Sequence, residues 1–447
     1  VTVGAGAIGH AALGRLDSLV GGAGRRRVIV ALSAVLALDS ADKATIGTSA
    51  RQLEAGLGIG KTQIGLLLTI SSLVGAVAAV GFGSLVDRTR RTRTLAISVV
   101  CWGVASALSG FATSFDFLLC ARIALGAVTA VAGPAVASLV GDYFPQHERG
   151  RIYGFVLAGE LVGAGFGFVV AGQFALVSWR APFFVLVLPS AWVCWLLTRI
   201  PEPERGGRQP ATDEVTAGTA DDADSAALAH EAVRAGNVEP RAAAVLEADP
   251  AQLTLWETVR YVLRVRTNVV LIIASALGYF FFSGLRGFAI QFATSHYRVS
   301  HSVATMLTLV LGAGALAGVL IGGRLADRLL RAGRLPARTD VPGVAVLVAA
   351  GLFAPALITR TLALALPLLA AAAFCLGAAN PPLDAARLDI IVPAAWGRAE
   401  AVRTFLRNCG DAAAPLLFGV LADSVFGGPS GLEYTFLAML SSLLAAS

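Results

Sequence analysis

The chain has 447 residues, of which 56% are hydrophobic and 14% charged, with a mean hydropathy of +0.73 and a net charge of +6. No water-soluble fold hides that much apolar surface, so the solvent is lipid. The positive balance does not indicate nucleic acid, because the basic residues sit in short loops between apolar spans, where membrane topology needs them.

Residues 1–27 read as a cytoplasmic N-terminal segment. They carry no signal-peptide layout, since Arg25 to Arg27 directly precede a long apolar stretch. Six spans are predicted near 28–50, 62–86, 94–112, 117–140, 150–173 and 181–199, which makes 28–199 an N-terminal six-helix bundle. Residues 200–252 read as a disordered cytoplasmic linker: from Glu202 to Asp249 there are eleven acids against four arginines and no sustained apolar period. Residues 253–266 form an amphipathic interfacial helix expected to lie on the membrane, with Leu253, Trp256, Val259 and Leu263 on one face and Arg260, Arg264 and Arg266 elsewhere. Six further spans follow near 268–294, 301–325, 341–360, 362–392, 398–424 and 432–447, giving a second bundle over 267–447. The last is short for a span, so it crosses poorly or continues beyond the sequence. The fold class is an all-α polytopic membrane protein of twelve transmembrane helices in two pseudo-symmetric six-helix bundles.

Arginines follow spans two, four and eight, at Arg88, Arg90, Arg91, Arg93, Arg149, Arg151, Arg324, Arg328, Arg331, Arg334 and Arg338, while the alternate loops hold almost none. The positive-inside rule then places both termini and the linker in the cytoplasm. Arginine-rich, lysine-poor usage points to a bacterial cytoplasmic membrane. The five cysteines, Cys101, Cys120, Cys194, Cys375 and Cys409, have no metal or disulfide spacing and read as small hydrophobes.

Charges inside spans are costly, about 2.5–3.5 kcal/mol each at mid-membrane, so each must face a partner or a wet cavity. Span one carries Asp39, Asp42 and Lys43, span four Arg122, span five Glu160, span seven Arg286 and span ten Asp384, Arg387 and Asp389. Asp42 is the leading candidate for a proton-coupling residue and Glu160 the second, because desolvation and a nearby cation pull a carboxyl in opposite directions. The competing reading of Asp42 is a structural ion pair with Arg122. Asp384, Arg387 and Asp389 read as structural or gating. Pro381 and Pro382 are expected to interrupt span ten and free backbone carbonyls.

Span two ends Gly83-Ser-Leu-Val-Asp87-Arg88-Thr-Arg90-Arg91, and span eight ends Gly323-Arg-Leu-Ala-Asp327-Arg328. The same spacing at the same place in each half marks an internal duplication. A glycine lets helices approach, and a carboxylate at the membrane edge can pair with arginines or with a helix N-terminus of the other half. A pure topology signal would need the arginines but not the aspartates. Small residues at every fourth position, Gly75, Ala79 and Gly83, Gly159, Gly163 and Gly167, and Gly314, Gly318 and Gly322, are expected at a moving interface, with static packing the alternative.

This Gly-x-x-x-Asp-Arg loop resembles the signature of the major facilitator superfamily. The resemblance implies that Gly83, Asp87, Arg88 and Arg91, with Gly323, Asp327 and Arg328, gate the cytoplasmic side. Three further stretches, Leu38 to Thr45, Asp142 to Arg151 and Pro393 to Pro415, are similar to the Spinster family of lipid transporters. That resemblance implies a cavity lined by Asp42, Lys43, Arg122 and Thr129, with Lys43 standing where the family has an arginine and Thr129 where it has a glutamate, and it adds Asp411 to the gating residues; Asp39 of span one is a further candidate for substrate binding. A cationic pole of Lys43, Arg122 and Arg286 beside apolar walls would suit a phosphate headgroup and acyl tail.

The expected function is therefore proton-coupled alternating access moving an amphiphile such as a lysophospholipid or sphingoid lipid, by a monomer that meets protons and membrane lipids. The alternatives are a proton-driven exporter of drugs or small metabolites, and a non-transporting receptor or scramblase-like scaffold, the last motivated by Thr129. No paired carboxylates, histidine cluster or nucleophile motif sits at a plausible catalytic depth, so an enzyme, a metal site and a cofactor are not expected. Gly4-Ala-Gly6-Ala-Ile-Gly9 has dinucleotide-fingerprint spacing but no βαβ context.

Overall fold

A computed structural model describes residues 22–59, 61–204, 254–428 and 430–447. Most of the expected N-terminal segment and linker lies outside the described residues, as does the glycine motif at 4–9. The described chain is helical and holds no strand. Twelve helices take the numbers of their predicted spans: α1 (Ala23–Thr48), α2 (Lys61–Arg88), α3 (Arg91–Gly110), α4 (Phe115–Tyr143), α5 (Arg149–Val177), α6 (Ala181–Leu197), α7 (Arg266–His296), α8 (His301–Arg331), α9 (Ala337–Ile358), α10 (Leu362–Ile390), α11 (Trp396–Phe426) and α12 (Gly431–Ala446). Among the described residues, nine are long and apolar enough to cross a membrane. The two shorter apolar ones, α6 and α12, hold the same position in each half, and α1 carries Asp39, Asp42 and Lys43.

The bundle is apolar on the outside as well as within. Val77, Val104, Leu188, Ile273, Leu309 and Val344 all point outward and exposed, as a lipid-facing belt requires. Each half repeats the same pairings: α1 packs on α5, α2 on α4 and α3 on α6, and α7 packs on α11, α8 on α10 and α9 on α12. The halves meet through α2 against α11 and α5 against α8, related by the same duplication. Helices α1 and α7 pack within their own halves.

The glycine stripes correct one expectation. A Cβ at Gly159, Gly163 or Gly167 would strike Ser33, Ala37 or Ala41 of α1, and one at Gly314, Gly318 or Gly322 would strike Ala370, Phe374 or Ala378 of α10. These stripes therefore seat helices inside one half, where backbone-to-backbone contact replaces side-chain packing. Close approach between halves occurs at Gly83 against Ala401 and Gly323 against Gly150, and also at Gly141 against Trp396 and Gly154 against Val319.

The doubled proline is a second correction, because α10 runs unbroken through Pro381 and Pro382. A proline removes the hydrogen bond to the carbonyl four residues earlier, which for Pro382 is Ala378. That carbonyl oxygen lies against Gly322 of α8, where the missing side chain leaves room for it.

Helix Leu255–Arg264 is closed by a capping box between Thr254 and Glu257. Its Thr258, Tyr261 and Val262 face is buried against the bundle, while Trp256 and Leu263 remain exposed. At the far end of the chain, Gly427 and Gly428 adopt positive φ angles of 56° and 67°, the backbone region open to glycine that lets α11 turn back into α12.

Candidate functional site

The arginine-rich ends of the two halves are clasped twice. At the last turn of α2, Asp87 accepts hydrogen bonds from the backbone N–H groups of Gly397 and Arg398, both at 3.0 Å, and from Arg398 Nε at 2.8 Å. At the last turn of α8, Asp327 accepts from the backbone N–H groups of Gly150 at 3.2 Å and Arg151 at 2.6 Å, and from Arg338 at 3.0 Å. In both places a carboxylate of one half caps the first turn of a helix in the other, where unpaired N–H groups and the helix dipole favour negative charge. The glycine one turn earlier explains the spacing: a Cβ at Gly83 would stand 2.7 Å from Ala401 Cβ, and one at Gly323 would meet the Gly150 carbonyl. Across the same end, Arg149 of α5 donates to Asp389 of α10 at 3.2 Å.

The arginines of the repeat do not join these clasps. Arg88 and Arg328 are exposed. Arg91 turns into its own half, where it meets Asp142, Ser138 at 3.0 Å, Glu202 at 2.9 Å and the Pro203 carbonyl at 2.7 Å. The guanidinium that reaches Asp87 from the other half is Arg398, which also donates to Thr258 of the capped helix at 2.9 Å. Glu202 accepts from Thr92 at 2.6 Å and caps the start of α3. Partial burial pushes its carboxyl up, but the hydrogen bonds from Thr92 and Arg91 prevail and hold it below the usual glutamate range.

Behind the clasps lies a charged chamber between the halves, lined by α1, α2, α4 and α5 on one side and by α10 and α11 on the other. Asp39, Asp42, Lys43, Thr129 and Glu160 line it from the first half, and Asp384, Glu400, Arg403, Arg407 and Asn408 from the second. It adjoins an apolar chamber of about 210 Å³ between α5 and helices α7 to α10. Leu157 and Glu160 line both.

Within the charged chamber most charges are paired. Arg122 donates to Asp42 at 2.6 Å with both side chains buried, and Lys43 donates to Asp39 at 2.6 Å. Arg387 reaches Asp384 and Glu400 at 2.7 Å each, while Arg403 reaches Glu400 at 2.8 Å and Asp384 at 3.1 Å. Thr129 donates to the Gly126 carbonyl at 3.1 Å. Arg286 and Asp411 stand 3.8 Å apart within the second half, away from the clasps. The expected cationic pole of Lys43, Arg122 and Arg286 is therefore not a contiguous positive surface, because each has a carboxylate of its own and Arg122 lies buried behind Asp42. Two lining charges, Glu160 and Arg407, have no ion pair within 4 Å among the described residues.

Sequence reading missed Arg398, Arg403 and Arg407. The pattern Asp384-x-x-Arg387 on α10 and Glu400-x-x-Arg403 on α11 was the available signal, since two such pairs in neighbouring apolar helices must satisfy one another. Nothing in the sequence distinguishes Arg407 from the paired arginines.

A family model described as Major Facilitator Superfamily matches residues 28–415. A probable L-galactonate transporter of Escherichia coli is 27% identical over 146 residues, 32% of this chain and 32% of that protein. The 4-hydroxybenzoate transporter PcaK of Pseudomonas aeruginosa is 29% identical over 182 residues, 40% of each chain. The matched stretch thus spans about a third to two fifths of these curated relatives. Among solved structures, the human organic anion transporter MFSD10 superposes with a TM-score of 0.68 at 17% identity, covering 94% of this chain and 98% of that one. A bacterial homolog to the human lysosomal transporter Spinster, inward-facing and unoccupied, gives 0.58 at 20% identity over 94% of both chains. At those identities the likeness is one of fold.

Proposed function

We propose that this chain, which belongs to the Major Facilitator Superfamily, is a proton-coupled secondary transporter that carries a small organic anion by alternating access. The observation that carries the reading is the pair of carboxylate-to-helix clasps closing one end of a charged chamber between two six-helix halves. In this scheme the arginine-rich end is cytoplasmic, and Gly83, Asp87, Gly323 and Asp327 gate it. Rocking of the halves breaks both clasps, and the freed helix N-termini and carboxylates gain water in exchange. Asp42 and Glu160 are the candidate proton carriers, with Glu160 unpaired between the chambers and Asp42 tied to Arg122. A monomer in a bacterial cytoplasmic membrane completes the reading.

The organic anion is supported by relatives named for galactonate and 4-hydroxybenzoate and by one chamber-lining guanidinium, Arg407, that has no ion pair within 4 Å among the described residues. An amphiphilic lipid is the second reading, favoured by the apolar chamber beside the charged one and by the Spinster-like stretches in α1, α4 and α11. The deciding experiment is uptake into proteoliposomes of labelled 4-hydroxybenzoate, galactonate and lysophosphatidylcholine, with and without an inward proton gradient, for the wild type, Asp42→Asn and Glu160→Gln. Gradient-dependent uptake of an organic acid, with the gradient response lost in one variant, is the expected result. Uptake of the lysolipid alone selects the second reading, and movement of none of the three under any gradient rejects both.

A further inference from the structure

The two chambers differ in what they can hold, and one residue stands at their junction. The apolar chamber is walled mostly by leucine, phenylalanine, alanine and valine side chains, with Thr308 and Asn380 among its neutral polar groups, Tyr279 at its edge, and Glu160 and Arg286 as its charged lining. Arg407 lines the charged chamber, and its guanidinium lies 4.6 Å from the centre of the Tyr279 ring. Each other arginine or lysine that lines a chamber has a carboxylate within 4 Å: Lys43 has Asp39, Arg403 has Asp384 and Glu400, and Arg286 has Asp411. Arg407 has none among the described residues. Its planar fork is therefore open to one external carboxylate, at the point where a molecule reaching from the charged chamber enters the apolar one.

We propose that Arg407, stacked on Tyr279, receives the carboxylate of a small monocarboxylate whose aromatic or aliphatic body seats in the apolar chamber. This rests on the organic-anion reading and narrows it. Arg407 is the lining cation without an ion pair among the described residues, and Glu160, the lining carboxylate without one, borders both chambers, so a second substrate carboxylate would be buried without a partner and beside a like charge. An apolar cavity of about 150 Å³ accommodates a benzene ring, so about 210 Å³ holds a ring with a few added atoms. A polyhydroxylated body of the same size is excluded by different chemistry, because hydroxyl groups buried against leucine and phenylalanine lose water and gain few hydrogen bonds.

The test is equilibrium binding to the purified full-length protein, by titration calorimetry, of benzoate, benzamide, gluconate and phthalate. Benzoate is expected to bind at least tenfold more tightly than benzamide, which lacks the charge, than gluconate, which lacks the apolar body, and than phthalate, which adds a second charge. Arg407→Gln is expected to weaken benzoate tenfold or more, and Arg407→Lys less so, with unfolding temperatures near that of the wild type. Gluconate binding as tightly as benzoate overturns the apolar-body inference while leaving organic-anion transport intact. Equal binding of benzamide, or benzoate affinity unchanged in Arg407→Gln, overturns the assignment of Arg407. The four-ligand ranking is read on the wild type, so it stands even where a variant fails to fold. Binding of none of the four, with lysolipid taken up in proteoliposomes, rejects both this inference and the reading it rests on.

Discussion

Arg398 of α11 donates both its backbone N–H, at 3.0 Å, and its Nε, at 2.8 Å, to the same carboxylate oxygen of Asp87, 311 positions earlier on α2. The pair is buried and joins opposite halves. Asp87→Ala leaves a buried guanidinium and two helix N–H groups without their acceptor. Breaking one side of a buried pair costs about 3 kcal/mol or more. The end clasped here is therefore expected to open roughly a hundredfold more often in the variant. Alkylation rates of single cysteines placed in the charged chamber, probed from the arginine-rich side, read the shift. Unchanged rates would show that Asp87 does not hold the closed form.

Thr258 accepts from the same Arg398 and ties the helix after the linker to this clasp. Thr258→Val keeps shape and removes the acceptor, at a cost of about 1–3 kcal/mol for a buried donor left unpaired. Its effect on cysteine alkylation should run in the same direction as that of Asp87→Ala and be smaller. Because both act through Arg398, the two effects are expected to be less than additive in the double variant.

The Asp42–Arg122 pair separates structure from coupling. Asp42→Asn strands a buried guanidinium, already without partners at Nε and Nη1, and should lower stability by about 3 kcal/mol. Replacing both by apolar residues, Asp42→Leu with Arg122→Met, should recover most of that loss, as measured by thermal unfolding in detergent. Gradient-driven uptake should stay absent in the double variant if Asp42 carries the proton.

Two glycines in the second half offer a matched contrast. At Gly318 a Cβ would collide with the Phe374 carbonyl and come within 2.9 Å of the Ala378 nitrogen, whereas at Gly351 nothing lies within 4 Å. Gly318→Ala should cost about 1–3 kcal/mol through forced separation of α8 from α10. Gly351→Ala should leave the unfolding temperature unchanged.

Glu202 makes one contribution depend on pH. Its folded-state pKa lies below the unfolded one, despite burial, because Thr92 and Arg91 donate to the charged form. The stabilisation is complete above the usual glutamate value of about 4.3 and disappears as pH falls through the lower folded value. Unfolding temperatures of the wild type and Glu202→Gln should differ at pH 7 and converge as the pH drops below 4. A gap that persists at low pH would assign the effect to packing.

Much of the architecture was legible in the residues. Apolar runs of membrane length recur, the arginines alternate between loops, and Gly-x-x-x-Asp appears at the ends of spans two and eight. These are local properties, set by the thickness of a bilayer and by helix periodicity, so tertiary contacts do not alter them. The expected interruption at Pro381 and Pro382 was local too. Helix α10 nevertheless continues through both prolines, with the Ala378 carbonyl seated against Gly322 of another helix.

Which charge meets which was decided only by the fold. Asp87 and Arg91 stand four residues apart across the break between α2 and α3, yet one crosses to Arg398 and the other turns back to Asp142 and Glu202. Arg403 and Arg407 lie one turn apart on α11, and among the described residues only Arg403 of the two has a carboxylate within 4 Å. In an apolar bundle a charge is tolerated according to its partner, and partners come from helices distant in sequence. Composition and spacing therefore determine that this chain spans a membrane as a duplicated helical bundle, while the packing of α5, α7, α10 and α11 determines which of its arginines is left open to a ligand.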